Sequence, residues 1–388
     1  MKIGMVGWEY PPFQIGGLSV HCYELTKNLV KSQLLIDFYM PKTGMDIVPA
    51  DERIRIFEVP LTDKEINPYF RVIKEEGLFN MELVDFFNAV EEYNRRVVKA
   101  FIKNSGDVDL IHCHDWITLG AAVELKKRLK KPLTFTVHST EYDRSAYFFP
   151  MQWIIDREKW GMENADRIIA VSKRTKRLII QDYGIDGDKI VVIPNGIDFS
   201  RFVRKEKRDY SKKNRILFVG RVTRQKGLTF FVQMAKKVLE KENCNFTIIG
   251  RGDMVPELIK QTIDWGMAGN FTFCGYLPDR EVMEYLYNSD LYVLPSVSEP
   301  FGISVLEAMS TGLPALISNS TGVGESLLHC TKTDFWDVRD MADISTNVLE
   351  HESLRELIGK NGAEEAKKFT WDKCASETKK LYESMGGS

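Results

Sequence analysis

The chain has 388 residues, 44% hydrophobic, 28% charged and 11% aromatic, which excludes a disordered chain and asks for two to three cores rather than one. Fifty-three Lys and Arg against 55 Asp and Glu leave a net charge of −2, so no global basic field exists for nucleic acid or anionic lipid. Six scattered cysteines without a C-x-x-C pair exclude a zinc ribbon or disulfide framework, no apolar run approaches the roughly 18 residues of a membrane span, and Pro11-Pro12 cut short any signal-peptide core; the expectation is a cytoplasmic, two-domain protein.

Ile3–Val6 is a short apolar run ending at Gly7, as in a buried strand. After the turn Gln14-Ile15-Gly16-Gly17, Leu18, Cys22, Leu25 and Leu29 give one apolar helix face. Leu34–Met40 and Arg53–Val59 read as strands, and residues 61–104 as a mostly helical, aromatic-rich insertion. The rhythm resumes with strands at Val108–His112, Leu133–Val137, Arg167–Val171 and Lys189–Ile193. Helices are expected between them at Ile117–Leu129, Met151–Asn164 and Lys173–Tyr183. Such alternation argues for βαβ units and a parallel sheet. The Lys/Arg-rich stretch Arg201–Arg215 is taken as the link between domains. Strands then recur at Ile216–Val219, Phe246–Ile249, Phe271–Cys274, Leu291–Leu294 and Ala315–Ile317, with a last helix at Asp372–Ser384. The reading is α/β, two doubly wound domains in tandem.

Ligands of open α/β sheets sit beyond the carboxyl ends of the strands. In the second half, GRVTRQKG follows a strand, and Arg221 and Lys226 can bracket a diphosphate as fork and point charge. In PSVSEPFGISVLEAMSTGLP, Glu299 falls in a loop and Phe301-Gly302-Ile303 opens a helix, whose free N–H groups favour an anion. Glu307, five residues on, lies about 7.5 Å further along the axis and is placed to accept hydrogen bonds from a ribose. Tyr276, after another strand, is a candidate for the base.

In the first half the polar strand ends are Gly16-Gly17, His112-Cys113-His114-Asp115 and His138. H-x-H puts two imidazoles on one side of a strand, but no third ligand follows at recognisable spacing, so no metal is expected. Asp107-Val108-Asp109 and Asp186-Gly187-Asp188 read as solvent-facing. There is no G-x-x-x-x-G-K-[ST] loop and no G-x-G-x-x-G after the first strand, which disfavours kinases and dehydrogenases.

Together GWEYPPFQIGGL, HCHDW, VSKRT, VIPNGID, GRVTRQKG and the pair Glu299 and Glu307 resemble the retaining glycosyltransferases of the two-Rossmann-domain (GT-B) type, families 4 and 5, which include glycogen and starch synthases. The resemblance spans essentially the whole chain. It implies an acceptor-side domain over residues 1–198, joined by a returning C-terminal helix at 370–388. A nucleotide-sugar domain over 199–369 would face it across a deep cleft. It also implies that Arg221 and Lys226 hold the diphosphate, Glu307 the ribose and Glu299 the donor sugar. Gly16-Gly17 would close over the phosphates, with Asp115 and His138 facing sugar and acceptor. The implied partners are a UDP- or ADP-sugar and a carbohydrate acceptor, best matched by an α-glucan, with no cofactor. Two features depart from the pattern. Gln14 stands where glycogen and starch synthases usually carry Lys, and STGVGESLLHCTKTDFWDV lacks the glycine-rich stretch common in family 4. A lipid, small sugar or envelope glycan stays open as acceptor. So do an epimerase of this architecture, a non-catalytic binding protein and the oligomeric state.

Overall fold

The computed structural model describes residues 1–13, 16–61, 83–202 and 214–386. The chain divides into two units, Met1–Tyr142 with Tyr147–Gly196 and Trp371–Ser388, and Asp143–Ala146 with Ile197–Thr370. Part of the expected helical insertion (62–82) and most of the expected link (203–213) lie outside the described residues.

In chain order the first stretch runs β1 (Lys2–Val6), α1 (Gly17–Lys31), β2 (Leu35–Pro41), β3 (Ile54–Val59), α2 (Leu83–Ser105), β4 (Leu110–His114) and α3 (Leu119–Leu129). It continues with β5 (Leu133–Val137), α4 (Glu141–Arg144), α5 (Gln152–Asn164), β6 (Arg167–Ala170), α6 (Lys173–Tyr183) and β7 (Ile190–Val192). These strands form one sheet in the order β3-β2-β1-β4-β5-β6-β7, with every pair parallel. The chain goes outward from β1 to β3, then returns to the other side of β1 with β4. That reversal between β1 and β4 is the topological switch point, where a doubly wound sheet opens a crevice at its carboxyl edge.

The second stretch repeats the plan: β8 (Asn214–Val219), α7 (Leu228–Val238), β9 (Cys244–Ile249), α8 (Val255–Asp264), β10 (Phe271–Gly275), α9 (Asp279–Asn288), β11 (Leu291–Leu294), α10 (Ile303–Ser310), β12 (Ala315–Ser318) and β13 (Thr331–Thr333). Helices α11 (Val338–Glu350), α12 (Glu352–Ala366) and α13 (Trp371–Gly386) follow. The sheet order is β10-β9-β8-β11-β12-β13, again parallel, with its switch point between β8 and β11.

α13 belongs to the first unit and packs on α1. Its Tyr382 hydroxyl meets His112 Nδ1 at 2.6 Å, both side chains buried. Among the described residues, no helix is long and apolar enough to cross a membrane.

Among the elements that differ from the sequence expectation, two have a clear physical cause. β4 was expected at Val108–His112 but occupies Leu110–His114. Asp109 is drawn to the chain start, its carboxylate accepting from the Lys2 backbone N–H at 2.7 Å, and all five following residues are buried, both histidines included. An apolar-run criterion stops short at such polar residues. β13 was not expected, because Thr331-Lys332-Thr333 is polar and only three residues long. Register with Leu316–Ser318 alone makes it a strand.

Candidate active site

In the second unit the switch-point loops are stitched together by backbone. After β8 the chain turns through Gly220 and Arg221 into the 3-10 turn Arg224–Lys226. The Gln225 carbonyl accepts from the N–H groups of Val297 (2.9 Å) and Ser298 (3.3 Å) in the loop after β11. At Gly227 φ is +67°, and a Cβ would lie 1.9 Å from the Pro295 carbonyl oxygen. Only glycine allows both that left-handed turn and that approach.

This frame fixes the charged groups. Lys226 Nζ pairs with Glu299 Oε2, and both side chains are largely buried, 14% and 9% exposed. Ser296 Oγ donates to the same carboxylate oxygen at 3.4 Å. The Glu299 backbone is itself held, its N–H on the Ser320 carbonyl at 3.1 Å and its carbonyl on the Gly322 N–H at 2.8 Å. Arg221 donates to Gln225 Oε1 at 3.2 Å. The two cations expected from GRVTRQKG therefore sit on one turn.

Gly302 takes φ +100°, a left-handed value that swings the chain from the Glu299 loop into α10. No side chain caps that helix, so its start keeps N–H groups for an anionic ligand. Phe301 is buried beneath, with Ile303 beginning the helix. Glu307 is half-buried on α10. Desolvation pushes its carboxyl up to about 7, the Asp279 charge adding to the rise and Arg201 opposing it. Tyr276, after β10, is exposed, and the Arg251 guanidinium lies over its ring at 5.8 Å from the centroid.

The corresponding edge of the first unit is built of histidines. His112 and His114 share one face of β4, as alternation requires, with ring centroids 4.2 Å apart. His138 follows β5, and His21 comes in from α1. His21 Nδ1 lies 2.8 Å from Asn195 Oδ1, and His114 Nδ1 lies 3.1 Å from His138 Nε2. Burial lowers all four imidazoles, His21 to about 4 and His112 to about 3, His114 and His138 well below the usual range. The rings are thus neutral at pH 7. Asp115, at φ +57°, turns its carboxylate back so that Oδ1 accepts from the backbone N–H groups of His138 (2.9 Å) and Ser139 (3.4 Å). It positions the loop after β5. Gly16 and Gly17 start α1, uncapped by any side chain, with the Gly16 N–H on Glu9 Oε2 at 3.2 Å.

A family model described as Glycosyltransferase Family 4 matches residues 15–201, and one described as Glycosyl transferases group 1 matches residues 199–365. An uncharacterized glycosyltransferase of Methanocaldococcus jannaschii is 31% identical, the match covering 98% of each chain. The chain belongs to the group 1, family 4 glycosyltransferases. A glycogen synthase of Mycobacterium tuberculosis is 27% identical over 98% of this chain and 94% of its own. The solved structure of Anabaena HepE in complex with UDP and glucose superposes with a TM-score of 0.77 at 18% identity, covering 99% of this chain and all of the other. That likeness bears on the fold, which is the two-Rossmann-domain type.

In this glycosyltransferase Arg221, Lys226, Glu299, Phe301, Gly302, Ile303 and Glu307 gather along the carboxyl edge of β8 and β11, and Tyr276 lies at the end of β10. Gly16, Gly17, Asp115 and His138 lie along the carboxyl edge of the first sheet. Sequence reasoning missed Arg251, although Gly250-Arg251-Gly252 follows β9 as Gly220-Arg221 follows β8. It also missed His21 and Asn195, which only the tertiary fold carries to His114 and His138. No third histidine follows His112-Cys113-His114 at short spacing, yet in the fold four of the six histidines form one cluster.

Proposed function

We propose that this enzyme moves a hexose, glucose first, from a nucleoside diphosphate to a hydroxyl of an α-glucan, with retention at the anomeric carbon. The observation that carries the reading is the buried Lys226–Glu299 pair at the second switch point, beside the uncapped start of α10. Transfer needs a place for the charge that grows on the departing diphosphate. Lys226, Arg221 and the α10 N–H groups supply preorganised positive charge, usually the largest catalytic contribution. Before the donor binds, Glu299 holds the ammonium in position. With a donor present, that ammonium turns to the phosphate, and the carboxylate stands near the carbon that becomes cationic.

Glu307, one helical turn into α10, accepts from the ribose hydroxyls, and Tyr276 with Arg251 takes the base side. In the first unit, Gly16 and Gly17 are assigned to the phosphate side, and Asp115 and His138 to sugar and acceptor. The bond from the anomeric carbon to phosphate oxygen breaks as the bond to the acceptor oxygen forms on the same face, and the acceptor proton passes to the leaving phosphate. Supporting the donor is HepE, solved with UDP and glucose, and supporting the acceptor is the glycogen synthase relative.

The test is a panel of UDP-, ADP- and GDP-sugars, scored for nucleotide release with and without glycogen. Release from UDP- or ADP-glucose that requires glycogen is expected. Release that ignores glycogen but follows a lipid or small sugar would overturn the acceptor, and a donor converted to its isomer without release would overturn transfer.

A further inference from the structure

Three of the four clustered imidazoles in the first unit each bring a ligating nitrogen into one neighbourhood. One ligating atom from each of His21, His114 and His138 lies within 4.8 Å of the others. The fourth ring, His112, is spent: Nε2 lies 2.7 Å from Thr136 Oγ1 and Nδ1 2.6 Å from Tyr382 Oη. His21 Nε2 and His114 Nε2, by contrast, are buried with no hydrogen-bond partner among the described residues. A buried polar nitrogen left unpaired is destabilising; an ion on His21 Nε2 would relieve one of the two, while His114, facing His138 through Nδ1, keeps its Nε2 unpaired.

We propose that His21, His114 and His138 form a binding site for a divalent transition-metal ion of the zinc type. A zinc–nitrogen bond of about 2.0–2.1 Å sets each imidazole centroid about 3.2 Å from the ion, hence about 5 Å from the next at tetrahedral angles. The centroids here stand 4.4 Å (His21–His138), 5.4 Å (His114–His138) and 5.5 Å (His21–His114) apart. His21 is already oriented as a ligand: Asn195 Oδ1 takes its Nδ1–H, fixing the tautomer that bares the Nε2 lone pair. A carbonyl behind a metal-bound histidine serves that purpose. His114 Nδ1 and His138 Nε2, 3.1 Å apart, have the separation of two nitrogens on one tetrahedral ion. Asp115 fixes the His138 backbone from below. With three protein nitrogens, a fourth position stays open for water or an oxygen of a ligand. The site does not depend on the transferase reading. It departs from the sequence expectation of no metal, which rested on the lack of a third ligand at short spacing.

The experiment uses the full chain without a histidine tag, stripped with EDTA, reloaded with zinc sulfate and freed of excess ion before elemental analysis. One zinc per chain is expected. His21→Ala and His114→Ala should each lower it at least tenfold, while His329→Ala and His351→Ala leave it unchanged. Asn195→Ala should weaken zinc binding roughly tenfold or more in a chelator competition, acting through the ring it orients. Should a histidine variant fail to fold, the wild-type chain still decides, because cobalt in place of zinc should give the intense visible bands of a four-coordinate ion. Less than a tenth of a zinc per wild-type chain, the weak spectrum of hexaaqua cobalt, or full zinc in a folded His21→Ala chain would each overturn the site.

Discussion

The two sheets of this glycosyltransferase run their central strands in the same order, yet the edges at their switch points are opposites. At the second, an ammonium and a carboxylate are paired on loops pinned by backbone bonds, next to a bare helix start. At the first, neutral buried imidazoles hold one another and one asparagine. Topology alone therefore fixes where a ligand sits, and the residues ending the strands fix which ligand. One edge carries the charges assigned here to a phosphate; the other carries the imidazoles proposed to hold a metal.

The largest expected effect attacks the charged edge. Lys226→Ala removes the cation assigned to the leaving group and should lower kcat by about a hundredfold or more, measured as nucleotide release. A variant with wild-type kcat and only a raised KM would make Lys226 a simple binding group. Gly227→Ala tests the frame under it. The new Cβ cannot fit against the Pro295 carbonyl at φ +67°, so denaturant unfolding should report a loss of about 2 kcal/mol or more. No loss would mean that the two loops are not locked together.

Glu307 gives a pH signature confined to the second unit. Its carboxyl is raised from 4.5 to about 7 by desolvation first, so the folded state prefers it protonated. That contribution is complete below about 4.5 and is lost as pH rises through about 7. Glu307→Gln should flatten this part of the stability profile; an unchanged slope in thermal melts between pH 5 and 8 would contradict it. The smallest effect is expected at the neutral edge. Tyr382→Phe deletes the hydrogen bond that ties α13 to His112, at about 1 kcal/mol, with transferase turnover close to wild type.

How much of this was readable in the sequence follows from how local each cause is. α6 was placed to the residue, because Ser172 caps its start by accepting from the Thr175 N–H and Gly184 ends it. β11 was equally clear as a buried apolar run between a helix and Pro295. The Arg221, Lys226 and Glu299 constellation was legible because each residue follows a strand, the one position where topology makes a polar residue informative. β13 was not legible, since its three polar residues are strand only by pairing with β12. The His21, His114 and His138 cluster escaped for the same reason: its members come from a helix and two strand ends far apart in sequence. The pairing of Lys226 with Glu299 was hidden too, although each residue had been singled out.

The central claim is that Glu299 acts on the reacting carbon while Glu307 holds the nucleotide, and one paired measurement separates them. Calorimetric titration of UDP and ADP is run beside steady-state kinetics for Glu299→Gln and Glu307→Gln. Contacts to a ribose are similar in ground and transition states, so Glu307→Gln should weaken nucleotide binding by up to about 1.5–3 kcal/mol with kcat little changed. Glu299→Gln keeps the side chain's shape, removes its charge and releases Lys226, so affinity should hold or rise while kcat falls. Loss of nucleotide affinity in Glu299→Gln, with loss of turnover alone in Glu307→Gln, would contradict the assignment.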